Sequence, residues 1–183
     1  LEEFADVFSS STTLKAMNTT PMHIELKKDA QPFARHAANT LSKSQKEQVK
    51  VMLDDLEKKG VIAKVGADEP CEWCHPLVVV PKPGGKIRLC VDLTKLNKQV
   101  IRSVHPMRTP QEVVSSLNPK SKYFSSFDAT HGYWQMPLDE ESQKLTTFIT
   151  FQGRYKFLRG PMGFVSTGDS FNYRGNQALL DLE

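Results

Sequence analysis

Long hydrophobic runs, cysteine and a phosphate-cradling loop are all scarce or missing in this chain of 183 residues. No apolar stretch approaches the roughly 18 residues that a helical membrane span requires. The opening LEEFADVF lacks the basic-then-apolar order of a secretory signal, so an intracellular setting, cytoplasmic or nuclear, is expected, with no membrane partner. The three cysteines are too few and odd in number for a disulfide framework and point to a reducing compartment. The glycines of Pro83-Gly84-Gly85 make no P-loop, since no Gly-Lys-Ser/Thr follows. A composition of 39% hydrophobic and 25% charged residues supports one globular domain or two small lobes. The chain opens on Leu1 rather than Met, which reads as a piece of something longer.

Two of the cysteines form a literal CxxCH, Cys71-Glu72-Trp73-Cys74-His75, the attachment signature of c-type haem. Pro76 and the strand-like run after it oppose that reading. Zinc lacks a second CxxC or HxxxH pair to complete four ligands. The remaining reading is structural, two cysteines beside a hydrophobic tryptophan.

In chain order, LEEFADVFS predicts a short amphipathic turn, followed by a Ser/Thr-rich connector and an extended arm around Ile24 and Leu26. A helix follows. Ser44 and Glu47 have capping-box spacing, Val49, Met52, Leu53 and Leu56 share one face, Lys58 and Lys59 suit the negative end of the dipole, and Gly60 closes it. Val61 and Ile62 start a strand. Two β-rich runs around Pro83-Gly84-Gly85 predict a hairpin. Its surroundings are basic: Lys82, Lys86, Arg88, Lys95, Lys98, Arg102 and Arg108 stand against Asp92 alone. Such a concentration is the footprint of a phosphate-binding face, although a solvated hairpin carries lysines too. Thr109, Pro110 and Glu112 predict a capped helix through Leu117, and residues 145–158 predict a second hairpin turning at Gln152-Gly153.

The most informative stretch is YFSSFDATHGYWQMPL, residues 123–138. Tyr123, Phe124 and Phe127 with intervening serines predict a short buried strand, and small residues after Asp128 turn the chain, leaving that carboxylate at the strand's open end. By local pattern alone such an Asp is a turn or cap residue as readily as a catalytic one.

This stretch resembles the first catalytic motif of reverse transcriptases, in particular those of gypsy-type LTR retrotransposons. The hairpin HPLVVVPKPGGKIRLCVDLTKLNK resembles the same family's fingers, including V-D-L-x-x-L-N at residues 91–97, and RGPMGF resembles its later palm loop. Inside that loop, Ser166-Thr167-Gly168-Asp169 replaces the usual Asn-Ala-Pro, with Asp169 expected to cap the next helix. The resemblance covers roughly residues 22–182. It implies an α/β (α+β) fold, with an N-terminal arm over 1–41, a fingers-like lobe with the basic hairpin over 42–120, and a partial palm over 121–183.

It also implies roles. Asp128 would be the catalytic, metal-binding carboxylate, with the Ala129 carbonyl a further ligand for Mg²⁺ or Mn²⁺ in the complete enzyme. Lys82 and Arg88 would neutralise the triphosphate of a deoxynucleoside triphosphate, Tyr133 would exclude the 2′-hydroxyl, and Gln135, Met162 and Gly163 would wall the pocket. Leu89, Cys90 and Pro161 would lie along an RNA or DNA template paired with its primer. A Tyr-x-Asp-Asp turn is not found in the 183 residues, so the expectation is part of an RNA-directed DNA polymerase, inactive alone and completed by the remainder of a polyprotein. The alternative is a non-catalytic nucleic-acid-binding remnant of a retroelement.

Overall fold

The computed structural model describes residues 14–126 and 128–180. The expected turn over LEEFADVFS lies outside them.

Helix α1 (Lys43–Lys58) forms where the 3.6-residue period predicts it, with Val49 and Leu53 buried. Its capping box is made by Ser42 and Gln45 rather than Ser44 and Glu47, because the first turn begins one residue after Ser42. At its end Lys59 and Gly60 donate to Asp55 and Glu57, and Gly60 takes a left-handed φ of 63° that turns the chain into the sheet.

Five strands form one sheet in the order β1-β5-β4-β2-β3. These are β1 (Ile62–Lys64), β2 (His75–Pro81), β3 (Ile87–Val91), β4 (Phe148–Thr150) and β5 (Gly153–Phe157). The pairs β2/β3 and β4/β5 are hairpins, whereas β2 meets β4 in parallel, His75 opposite Phe148. At the first hairpin's tip, Gly84 and Gly85 take φ of 75° and 70°, the region glycine enters without a Cβ penalty. The short helices are α2 (Thr94–Asn97), α3 (Pro110–Ser116) and α4 (Glu140–Leu145), and α5 (Thr167–Leu179) follows the PMG loop.

One hydrophobic cluster joins these parts. Met22 and Ile24 of the arm, Leu53 of α1, Leu93 and Leu96 around α2, Phe148 and Tyr155 of the sheet and Phe164 all contribute. The arm is tied down by isolated bridges from Met22 to Leu138, Leu26 to Val100 and Ala34 to Cys74.

Among the described residues the strand expected before Asp128 is not formed; Phe127, its last residue, lies outside them. Residues 121–126 carry no ladder, and Tyr123 and Phe124 are 93% and 67% exposed. Aromatic β-propensity reflects packing on a neighbouring strand, and none lies alongside among the described residues. The helix α3 has the predicted Thr109/Glu112 capping box, yet its Val113, Val114 and Leu117 face solvent.

Candidate functional site

Asp128 is exposed and begins a tight turn in which Gly132 N–H donates to the Ala129 carbonyl at 3.1 Å. His131 takes a left-handed φ of 52° and stacks on Trp134 at 4.9 Å between ring centroids. Residues Gly132–Gln135 then wind into one 3₁₀ turn. Gln135 braces it from within, its amide donating to the Thr130 carbonyl at 2.8 Å, while its own carbonyl accepts the Met17 N–H.

Helix α5 clamps this turn. Tyr133 lies edge-on to Phe171, centroids 5.7 Å apart, and a Cβ on Gly132 would come within 2.8 Å of the Phe171 ring. On the other side, a Cβ on Gly160 would meet the Tyr133 carbonyl at 2.9 Å, so the segment leading into the PMG loop packs backbone against backbone on Tyr133. The Tyr133 hydroxyl reaches towards Gly168 in the first turn of α5.

Asn97 pins the loop to the hairpin. Its amide donates to the Gly163 carbonyl at 2.8 Å and its side-chain oxygen accepts the Val165 N–H at 3.0 Å, which sets Gly163 against the Val91 carbonyl at the end of β3. Gly163 takes a left-handed φ of 88° there. The V-D-L-x-x-L-N pattern therefore has a physical content: Leu93 and Leu96 are core, Asn97 is the clamp, and Asp92 accepts the Thr94 N–H where α2 begins. Hydrogen bonds from the Thr94 hydroxyl and N–H hold the Asp92 carboxyl below its ordinary range.

Within the loop Pro161 is buried and its carbonyl accepts the Thr167 hydroxyl at 2.9 Å, whereas Met162 and Gly163 are exposed. Asp169 does not cap α5. The N-cap is Ser166, and Asp169, 4% exposed, instead pairs with Arg102 at 3.1 Å and accepts the His105 N–H. Sitting three residues inside the helix boundary, its carboxylate points to the segment after α2 rather than back to the helix's own amides. Neither this pair nor the Asn97 clamp was foreseen as such; the asparagine of the VDLTKLN pattern was the available signal.

Lys82 and Arg88 are exposed, Leu89 and Cys90 half-buried, and Val80 pairs with Arg88 across the ladder. Among the described residues no ion pair or hydrogen bond joins Lys82 or Arg88 to Asp128, and Lys82, Lys86 and Arg88 have no carboxylate partner. A cavity of about 490 Å³ lies by Arg35, Cys71 and Arg154, and another of about 460 Å³ between α1 and Ile87. His75 of the CxxCH is wholly buried near Phe33 and Trp73, with Nε2 on the Leu145 carbonyl at 3.0 Å, which leaves it no open face for iron.

A reverse transcriptase (RNA-dependent DNA polymerase) family model matches residues 80–182. The chain belongs to that family. The match runs from the end of β2 through Asp128 and past α5, so the turn, the PMG loop and the clamp between them all lie within it. Among curated proteins, the Pol polyprotein of transposon 412 from Drosophila melanogaster is 28% identical over 99% of this chain and 15% of its own length. The Pro-Pol polyprotein of simian foamy virus type 1 is 32% identical over 67% of this chain and 10% of its own. The chain thus spans only a small part of these polyproteins. A foamy viral protease–reverse transcriptase solved in complex with RNA/DNA hybrid superposes with a TM-score of 0.82, at 23% identity, over 98% of this chain and 24% of that one. The mixed α/β architecture is therefore the reverse transcriptase fold. Among the described residues no helix is long and apolar enough to cross a membrane.

Proposed function

We propose that this chain supplies the fingers and the first part of the palm of a gypsy-type retrotransposon reverse transcriptase, within a longer Pol polyprotein. In this reading residues 42–120 are fingers, 121–183 begin the palm, and 1–41 are the arm leading in. One observation carries it. The close packing of Gly163 on Val91, of Gly160 on Tyr133 and of Gly132 on Phe171 ties the hairpin, the PMG loop and α5 to the turn that follows the exposed Asp128, and this supports the reading.

Lys82 and Arg88, unpaired on a hairpin, are suited to a triphosphate whose charge they would neutralise. Tyr133, fixed against Phe171, would present its ring to the sugar and reject a 2′-hydroxyl, while Gln135 keeps the turn in shape and Met162 and Gly163 offer an exposed wall. Leu89, Cys90 and buried Pro161 would border the template. Asp128 and the Ala129 carbonyl are hard oxygen donors of the kind Mg²⁺ or Mn²⁺ takes. Among the described residues no cluster of three ligands exists, so they fit a share of a metal site. When bound, paired ions stabilise the attacking 3′-oxygen and the departing pyrophosphate.

The test is primer extension on an RNA template. In the parent polyprotein, Asp128→Asn should abolish extension, Lys82→Ala and Arg88→Ala should raise the KM for deoxynucleotides, and Tyr133→Ala should admit ribonucleotides. The 183 residues alone should bind primer–template without extending it. Extension by them alone would overturn the shared-site reading; full activity of the Asp128→Asn polyprotein would overturn the catalytic assignment.

A further inference from the structure

The CxxC pair has no part in the site described above, yet the fold builds an environment around it. Cys71 lies in the loop between β1 and β2, and one guanidinium nitrogen of Arg154 on β5 gathers that loop by donating to the carbonyls of Gly66, Ala67 and Glu69 at 2.6, 3.1 and 2.8 Å. Cys74 is fixed from the other side, its N–H donating to the Phe33 carbonyl at 2.8 Å and its own carbonyl accepting the Arg35 N–H at 2.9 Å. A bend at Glu72 turns the chain between the two cysteines, and both then reach the wall of one cavity. Cys71 is half-exposed and donates to the Trp73 carbonyl at 3.0 Å, whereas Cys74 is buried.

Both cysteines line the cavity of about 490 Å³, where Arg35, His36, Lys64 and Arg154 stand among small and apolar residues such as Val65 and Ile149. No carboxylate lines it among the described residues. This pair faces an opening that also carries Arg35, Lys64 and Arg154, which favours an anionic reagent.

We propose that Cys71 and Cys74 form a redox-active dithiol, which anionic low-molecular-weight disulfides of the glutathione type reach through this cavity and close into an intramolecular disulfide. The Cys71 thiolate attacks one sulfur of the reagent, whose S–S bond breaks and releases one thiolate that takes up a proton. Cys74 then loses its proton and attacks the Cys71 sulfur, and the second reagent thiolate departs. The protein dithiol gives up two electrons and two protons, and the reagent becomes two thiols. Cys71, half-exposed at the cavity, is the attacking group, and Cys74, buried and with its thiol pushed up to about 11 by burial and the neighbouring Cys71, is the slower, resolving one.

The folded protein is incubated with glutathione disulfide at graded ratios to glutathione, quenched in acid, alkylated and mapped by peptide mass. Wild type should accumulate a Cys71–Cys74 peptide lacking two hydrogens. Cys74→Ser should hold glutathione on Cys71, and Cys71→Ser should leave Cys74 unmodified. Cystamine, a cationic disulfide, should react more slowly than glutathione disulfide at low salt. The dithiol is overturned if the folded wild type yields no such cross-link even under fully oxidising ratios, or yields it only in urea; wild type alone decides this should a serine variant fail to fold. A cystamine rate equal to or above that of glutathione disulfide would overturn the cavity's part in selecting the reagent.

Discussion

Asn97 holds two elements together with one side chain. Its amide and oxygen are both spent on the backbone of the PMG loop, so Asn97→Ala leaves the Gly163 carbonyl and the Val165 N–H without partners. Losing hydrogen bonds in this way costs about 1–3 kcal/mol. Urea denaturation should show a loss of that size, and amide exchange at Val165 should accelerate more than exchange in β4 or β5. His75 makes a second, separable prediction. Burial holds its imidazole below the ordinary 6.5, with the Leu145 carbonyl pulling weakly the other way. The unfolded chain therefore binds a proton that the folded chain refuses once the pH falls through 6.5, and stability drops over that interval. Asp92 and Asp139 act in a different window: their folded values lie below 3.8, so the stability they contribute is lost only as the pH falls further. Chemical denaturation between pH 7.5 and 5.5 should show a declining midpoint in wild type and a flatter one in His75→Gln.

At the scale of elements, the 3₁₀ turn after Asp128 depends on the absence of a side chain. A Cβ at Gly132 would press the Phe171 ring at 2.8 Å, and the ring is held on its other flank by Tyr133. Gly132→Ala should therefore destabilise by about 1–3 kcal/mol, as overpacking does. Phe171→Ala removes the obstacle as well as the packing, so the double variant should lose less than the two single losses added together. Simple additivity in thermal or urea melts would show that ring and turn are not in contact. Along α1, Leu53→Ala should cost about 2–5 kcal/mol and Val51→Ala at most about 0.5 kcal/mol, since one is core and the other 69% exposed.

Over the whole molecule the net charge is only +3, but its cations gather on the hairpin and the segment that follows. All seven from Lys82 to Arg108 are exposed. Two are engaged, Arg102 with Asp169 and Lys95 over the Phe33 ring at 5.7 Å. If the rest meet phosphates, the affinity for an RNA/DNA hybrid should fall steeply with salt, and each lost contact should flatten the slope of log affinity against log salt by about 1. Lys86→Glu should weaken binding at low salt and flatten that slope; an unchanged slope removes Lys86 from the interface.

The sequence alone determined what depends on neighbours along the chain. The helical period and Gly60 settled α1, the Pro83-Gly84-Gly85 tip settled the first hairpin, and Thr109 with Glu112 settled the start of α3, because caps and turns close over three or four residues. The motifs around Lys82, Asp128 and Pro161 were legible in the same way, as fixed patterns of order and spacing. Tertiary structure decided the remainder. Tyr123 and Phe124 have the residues of a strand but no neighbour among the described residues to complete a ladder. Asp169 has the residue type of a cap, but Arg102, 67 residues away in the chain, offers its carboxylate a partner. Asn97 and Gly132 owe their roles to surfaces that meet only after folding, so no local pattern could show what they would touch.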